Sequence, residues 1–463
     1  MQIPILSGIV ANNKGDFLAS YPVNRDPVIL DTGVAAGYLR PAMGIEQIGT
    51  GPGADRDGIN WNGVAYRVMG TKLVTISSAG AVTVLGDVDA GGTCNLDYSF
   101  DNLIINSGDL LYYYNPTDGL RRVTDENLGI VKDVIYVDGY TMTTDGTFLV
   151  VTELNDPMAV DPLKYGSSED DPDPVTGLLK MHGEVYALNR YTIQPFQNVG
   201  GSGFPFQVVK SGTIPYGCVG SKAKAKYLGS FAFVGGQRNA AIGVYIAGAG
   251  DATKISTRDV DADLAVLTEE QQAAIWMEVR NERDEQRLMI HTPLRTWVFS
   301  AKASTKASVE AWTIYSTSVT CAGPYKGRGL VYCYGRFMVA DDAGRIGYLT
   351  ENDTMHYGAP VGWMFDVKLI YNESARGIIN SLELVGTPGR GTEGRIFFSY
   401  TKDGVTWSME RSVSTGRTGQ RQKRVAWRPG VRFEQYIGLR FRGSDSSLMG
   451  IARLEGRIEA LAA

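Results

Sequence analysis

The chain has 463 residues and a mass of 50.3 kDa, with 43% hydrophobic and 21% charged residues. That length allows two or three domains, and that balance excludes a disordered tail. A formal charge of −5 is too small to select a partner, and 3 His make a multi-histidine metal centre a poor fit.

Charge is unevenly distributed. Residues 366–463 carry 16 Lys and Arg against 10 Asp and Glu, which leaves 29 against 40 for the rest. An acidic body therefore carries a basic C-terminal part, a pattern suited to charge-complementary assembly or proximity to nucleic acid. The cysteines, Cys94, Cys218, Cys321 and Cys333, show no Cys-x-x-Cys spacing and read as reduced, small core residues. The N-terminus lacks a signal-peptide pattern, and no stretch approaches the roughly 18 apolar residues of a membrane span, so a soluble cytoplasmic product is expected.

Residues 1–62 show little periodicity and contain Pro4, Pro22, Pro27, Pro41 and Pro52. They read as an extended arm that gains its order by lying on something else. Ile3, Ile5, Leu6, Phe17, Tyr21, Tyr38 and Leu39 are too apolar for a solvated leader.

From Val64 the chain alternates short strand runs with tight turns, as in Leu110-Leu-Tyr-Tyr-Tyr followed by Asp118-Gly119, or Val134-Ile-Tyr-Val followed by Asp138-Gly139. These units recur irregularly up to about Leu349, near the ~40–50 residues of a propeller blade. Residues 63–362 are thus expected to form a β-propeller-like body of about six blades, an architecture that protects strand edges. One inserted helix is predicted near 268–282. Thr268 and Gln271 form a capping box, and Ile275 and Val279 share a face. Its charged end, Arg280-Asn-Glu-Arg-Asp-Glu285, reads as a solvated turn. Residues 363–463 read as a separate β-sandwich-like domain. The fold class is therefore all-β.

Catalytic signatures are absent from the sequence: no Gly-x-Ser-x-Gly elbow, no phosphate-binding Gly-Lys-Ser/Thr loop and no His-Glu-x-x-His. His182, His291 and His356 lie in or beside strands, and His291 is expected to be a hydrogen-bonded strand residue. The acidic loop 167–173 lacks calcium-loop spacing and is expected to be solvated. The basic cluster Arg417, Arg421, Lys423, Arg424 and Arg428 reads as a solvated hairpin, a protein contact or a phosphate contact. No metal, cofactor or catalytic residue is assigned. A propeller that binds or cleaves surface glycans is the alternative reading.

Several islands resemble the tail-hub proteins of short-tailed phages, also called packaged-DNA stabilisation proteins or tail accessory factors. In the N-terminal part they are Gly15-Asp-Phe17, Tyr21-Pro-Val-Asn24, Gly37-Tyr-Leu-Arg40, Gly44-Ile45 and Ala65-Tyr-Arg-Val68. Further along they are Thr268-Glu-Glu270, Met277-Glu278, Arg280, Ile290-His291, Asp403-Gly404, Lys423-Arg-Val425 with Trp427, and Ile437-Gly-Leu-Arg440. The resemblance implies a structural virion protein that assembles as a ring, typically of six copies, below the portal and its adaptor ring. Such a ring continues the DNA channel without sequence-specific binding, retains the packaged genome and carries the tail needle and tailspikes. No membrane or cofactor is implied. Phe17, Tyr21, Tyr38, Leu39, Arg421, Lys423 and Arg424 are the expected assembly contacts.

Overall fold

The computed structural model describes residues 2–461 except 7, 12–13, 15, 31–34, 155, 169, 284, 369 and 372–375. Among those residues the middle of the chain forms seven antiparallel sheets of four or five strands each. Their innermost strands are Asp55–Trp61, Asn95–Tyr98, Asp133–Val137, Val175–Met181, Lys224–Tyr227, Trp276–Glu282 and Arg328–Cys333. Each of these packs beside the next, except that the fourth and fifth sheets meet through Glu184–Asn189 and Gly217–Cys218, and the last returns to the first. The body is a closed propeller of seven blades, one more than the spacing's central value of about six, from which five or seven also followed.

The extra blade escaped notice for local reasons. Asp55–Trp61 reads Asp-Arg-Asp-Gly-Ile-Asn-Trp, too polar for a strand signal. The innermost edge of blade 5 is broken into Gly217–Cys218 and Lys224–Tyr227, both paired with Ser230–Gly236. Blade 7 supplies only three strands of its own; its outer strand is Gly44–Thr50, which pairs antiparallel with Arg345–Thr350. The ring is therefore closed by the N-terminal part of the chain. Gly44 has to be glycine at this clasp, because a Cβ there would lie 2.5 Å from the Asp353 carbonyl oxygen.

The helix expected over 268–282 is shorter. The capping box at Thr268 is present, but that helix spans only Glu269–Ala273, preceded by a second helix at Arg258–Ala265. Trp276–Glu282 is instead the inner strand of blade 6, in register with Glu285–His291. Pairing along seven residues overrides the helical spacing of Ile275 and Val279. His291 lies in that strand, hydrogen-bonded to Thr296 at 3.1 Å and Glu278 at 2.7 Å.

The C-terminal domain is a sandwich. One sheet contains Gly377–Gly386, Val425–Trp427, Val431–Phe433 and Ile451–Ala460; the other contains Trp363–Asp366, Arg395–Thr401, Arg411–Ser414 and Tyr436–Gly443. Between them Phe398, Trp427 and Phe441 meet at ring distances of 5.4–5.9 Å, over a core that includes Leu382, Leu384 and Leu454.

The N-terminal segment lies on its own chain at several places. Gln2–Ile3 pairs with the sandwich strand Ile451–Ala460, and the hairpin Arg25–Ile29/Gly37–Pro41 extends the same sheet through Leu39 opposite Ile451. Residues 44–61 belong to the propeller. Several of the segment's apolar residues find partners within their own chain: Ile3, Tyr21, Val23 and Leu39 are buried.

His356 marks the clasp. It bridges the backbone at Ile45, hydrogen-bonds Thr317 through Nδ1 at 3.0 Å and meets the Tyr325 ring edge-on at 5.2 Å. Burial pushes its pKa down from 6.5 to about 4. The unfolded chain therefore takes up this proton first. The contribution of His356 is complete above pH 6.5 and falls by up to about 1.4 kcal/mol per pH unit towards pH 4. His356→Gln should remove that part of the slope, so chemical-denaturation curves of variant and wild type should converge as the pH is lowered. A difference independent of pH would contradict this.

Candidate assembly site

The propeller and the sandwich meet around a wedge, residues 21–24. The Tyr21 hydroxyl shares a 2.7 Å hydrogen bond with Thr257, and its ring meets Trp297 at 5.2 Å. Val23 bridges Ile314 of blade 6 and Met364 of the sandwich. Asn24, at φ 51°, donates from Nδ2 to the carbonyls of Ser316 and Gly362 and accepts from the Ser316 N–H. Asn tolerates the left-handed region, and here its short amide satisfies three backbone groups at once.

Next in the chain come two buried charges. Arg25 lies over the Trp363 ring at 3.9 Å and donates to the Met449 carbonyl at 2.6 Å. Burial pulls its pKa down, partly opposed by Asp445. Asp26 is fully buried. It accepts from the Tyr315 hydroxyl at 2.5 Å and Arg280 at 3.2 Å, with Arg40 at 3.5 Å and Arg287 at 4.0 Å. Burial alone would raise this carboxyl's pKa; the charges of Arg287, Arg280 and Arg40 and the tyrosine hydrogen bond outweigh it, and the net shift is downward. Glu282 joins the same group, bonded to Arg40, Arg280 and Arg287. The charged run expected to be a solvated turn is divided: Arg280 and Glu282 are buried, as is Arg287 just beyond it, whereas Asn281 and Arg283 are exposed.

Beyond this network the seam opens into a groove of about 370 Å³. Its charged lining is Arg40, Arg283, Arg390, Arg421 and a single acid, Glu351. Glu351 is engaged by Arg40 at 3.3 Å and Arg283 at 3.2 Å. Arg390 stands on the turn Gly389-Arg-Gly391, both glycines at positive φ and packed against backbone. Arg390 and Arg421 are exposed and, among the described residues, have no acidic partner.

The expected contact residues separate into two groups. Tyr21 and Leu39 are buried inside their own chain and act as internal clamps; Tyr38 is half-buried and lines the groove. Phe17 remains 57% exposed. In the basic loop, Arg424 is spent on Glu383 of the neighbouring strand at 2.5 Å, whereas Arg421 and Lys423 project freely. The buried cluster around Asp26 was missed from the sequence. Its only linear trace was Asp26, Arg40 and Arg280 lying in or beside the resemblance islands.

The propeller's own channel is filled. Residues from all seven blades, including Asp57, Asp97, Asp133, Lys180, Lys224 and Leu330, line one cavity of about 340 Å³. Ion pairs cross it: Lys222 with Asp57, Lys224 with Asp133, and Lys180 with Asp97 at 2.6 Å. Glu278 accepts from the Leu330 N–H at 2.8 Å beside its contact with His291. In the acidic loop, Glu169 lies outside the described residues, while Asp171 pairs with Arg238 at 2.7 Å and Asp173 accepts from Tyr191 and Thr192. Among the described residues no group of three or more His, Cys, Asp or Glu is placed to hold a metal ion.

Comparisons with known proteins agree with this division of the chain. Residues 1–354 match the family described as bacteriophage P22 Gp10, beta-propeller, and residues 362–459 match bacteriophage P22 Gp10, beta-sandwich. The chain belongs to this family. It is 24% identical to the tail hub protein gp10 of Salmonella phage P22, over 99% of both chains. Among solved structures it is similar to the N-terminal domain of Nup159, with a TM-score of 0.42 and 10% identity over 71% of this chain and 98% of that one. The Neurospora crassa Pan2 WD40 domain gives 0.41 and 9% over 66% and 94%.

Removing the central carboxylate tests the seam. Asp26→Asn removes one of the buried anions that hold Arg40, Arg280 and Arg287, leaves a buried positive charge unbalanced and should cost about 3–5 kcal/mol in denaturant unfolding. Arg424→Ala, which breaks an exposed pair, should cost less than about 1 kcal/mol. Because the Asp26 pKa is depressed, its contribution is complete above the ordinary carboxylate value of 3.8 and lost as pH falls below it. Limited proteolysis of Asp26→Asn should cut first in the linker 351–362; cutting indistinguishable from wild type would show that the seam does not depend on this residue.

Proposed function

We propose that this chain is a structural tail-hub protein of a phage virion, working as a ring of copies, six as the family resemblance implies. In this reading the ring lies below the portal and its adaptor ring, continues the DNA channel, retains the packaged genome and carries the tail needle and tailspikes. The observation that carries the proposal is the match to the P22 tail hub protein along 99% of both chains, through propeller and sandwich alike.

The geometry supports a ring over a single-copy conduit. Duplex DNA has a major groove alone ~12 Å wide. The propeller's cavity is crossed by lysine–aspartate pairs and leaves no such opening. DNA would have to pass between copies, which requires several of them around a common axis. The role is mechanical. A propeller clasped by its own N-terminal strand and locked to a sandwich by buried charges resists deformation without turnover.

The test is a phage lacking this gene. Heads should fill but fail to keep their DNA, and the purified protein should restore retention. Packaging requires a nucleotide-driven motor, and the sequence holds no phosphate-binding loop. DNA content of purified heads, followed over time, reads the outcome. Stable, filled heads without the protein would reject the sealing role, and heads that never fill would place it in packaging.

A further inference from the structure

The body's acidity is concentrated. Residues 95–167, which make up blades 2 and 3, carry 12 Asp and Glu against 4 Lys and Arg. In an antiparallel blade, the turn joining strands one and two and the turn joining strands three and four open on the same face of the ring. On blades 2 and 3 that face presents Asp101, Asp118, Asp138 and Asp156, all exposed. Beside them stand Phe100, 91% exposed, and Leu154, 53% exposed. Large apolar side chains this open, set among carboxylates of which Asp118 holds Arg121 at 3.1 Å, are the composition of a contact surface with a polar rim.

The seam groove opens on the same face. Arg283 is in the turn between strands one and two of blade 6, and Glu351 follows the third strand of blade 7. Blade 6 stands across the seven-blade circle from blades 2 and 3. Each subunit thus has an arginine-lined groove on one side and an acidic, apolar-studded patch on the opposite side. Complementary patches on opposite sides of one chain join head to tail, and such contacts close into rings when the rotation permits.

We infer that the groove lined by Arg283, Arg390 and Arg421 receives the acidic turns of blades 2 and 3 of a second copy of this chain. The inference rests on the hub reading above and assigns the ring's repeating contact. Arg390 and Arg421, which have no acidic partner among the described residues, meet the carboxylates of Asp101 and of Asp118, the latter shared with Arg121 of its own blade; Lys423 lies at the rim, and Phe100 is covered by the neighbour.

Two charge-reversed variants of the full chain test it: Arg390→Glu with Arg421→Glu, and Asp101→Lys with Asp118→Lys. All four positions are exposed, so each variant should melt within a few degrees of wild type, which confirms folding. Sedimentation velocity across a range of protein and salt concentrations reads assembly. Wild type should form a closed oligomer that high salt weakens. Each variant alone should need ~10-fold or more protein to assemble, since like charges then face each other. The two mixed should recover, because the reversed groove fits the reversed turns. A zero-length carbodiimide should link Lys423 to carboxylates of residues 101–156 on a different copy, identified with isotopically mixed protein.

If both variants assemble like wild type, the groove has another occupant and the inference falls while the ring stands. If groove reversal abolishes only binding to a DNA duplex, the occupant is nucleic acid and the inference falls likewise. If wild type stays monomeric under every condition, the ring reading itself is overturned.

Discussion

A single desolvated carboxylate organises this molecule. Asp26 has no access to water and exists as an anion only where cations surround it. Arg280 and Arg287 come from the first two strands of blade 6, and Arg40 from the facing strand of the hairpin. The hairpin must therefore lie against blade 6 in one register. The same hairpin extends the sandwich sheet through Leu39 and Ile451. The position of the sandwich on the propeller follows from where that charge is neutralised. Packed hydrophobic residues would hold two domains together equally well. A charge held by three guanidinium groups and a tyrosine hydroxyl also rejects shifted arrangements, because any slip strands an ion in the interior.

Much of the architecture was legible in the sequence, and the gaps have physical causes. Strand and turn signals follow side-chain periodicity and turn chemistry, both local, so the all-β class and the propeller-then-sandwich order could be read directly. Blade number depended on non-local facts. Gly44–Thr50 becomes a propeller strand only by pairing with residues some three hundred positions away, and nothing in Gly-Ile-Glu-Gln-Ile-Gly-Thr announces that partner. Arg280 to Glu285 looked solvated because charge normally is. The burial of Arg280 and Glu282 within it depends on Asp26, which no local pattern connects to them.

The candidate contacts divide along the same line. Apolar residues in an unpatterned segment point to contacts, and those of Tyr21 and Leu39 are made within their own chain. Exposure of the basic loop was legible from its composition. The role of Glu383 in neutralising Arg424, leaving Arg421 and Lys423 free, required the cross-strand register of Gly377–Gly386 with Val425–Trp427. The groove is assembled from the hairpin, blade 6, blade 7 and two sandwich loops, so no linear window contains it.

The clasp between Gly44–Thr50 and Arg345–Thr350 also sets a schedule for biosynthesis. A ribosome delivers residue 44 early and residue 350 late, so the circle cannot close until most of the chain has been translated. Until then the emerging blades form an open arc with bare strand edges at both ends, the form in which β proteins are most prone to pair with the wrong neighbour. Because Ile3 also pairs with Leu454, the N-terminus waits for nearly the last residues. A chain truncated before Arg345 would thus release both N-terminal pairing segments unsatisfied.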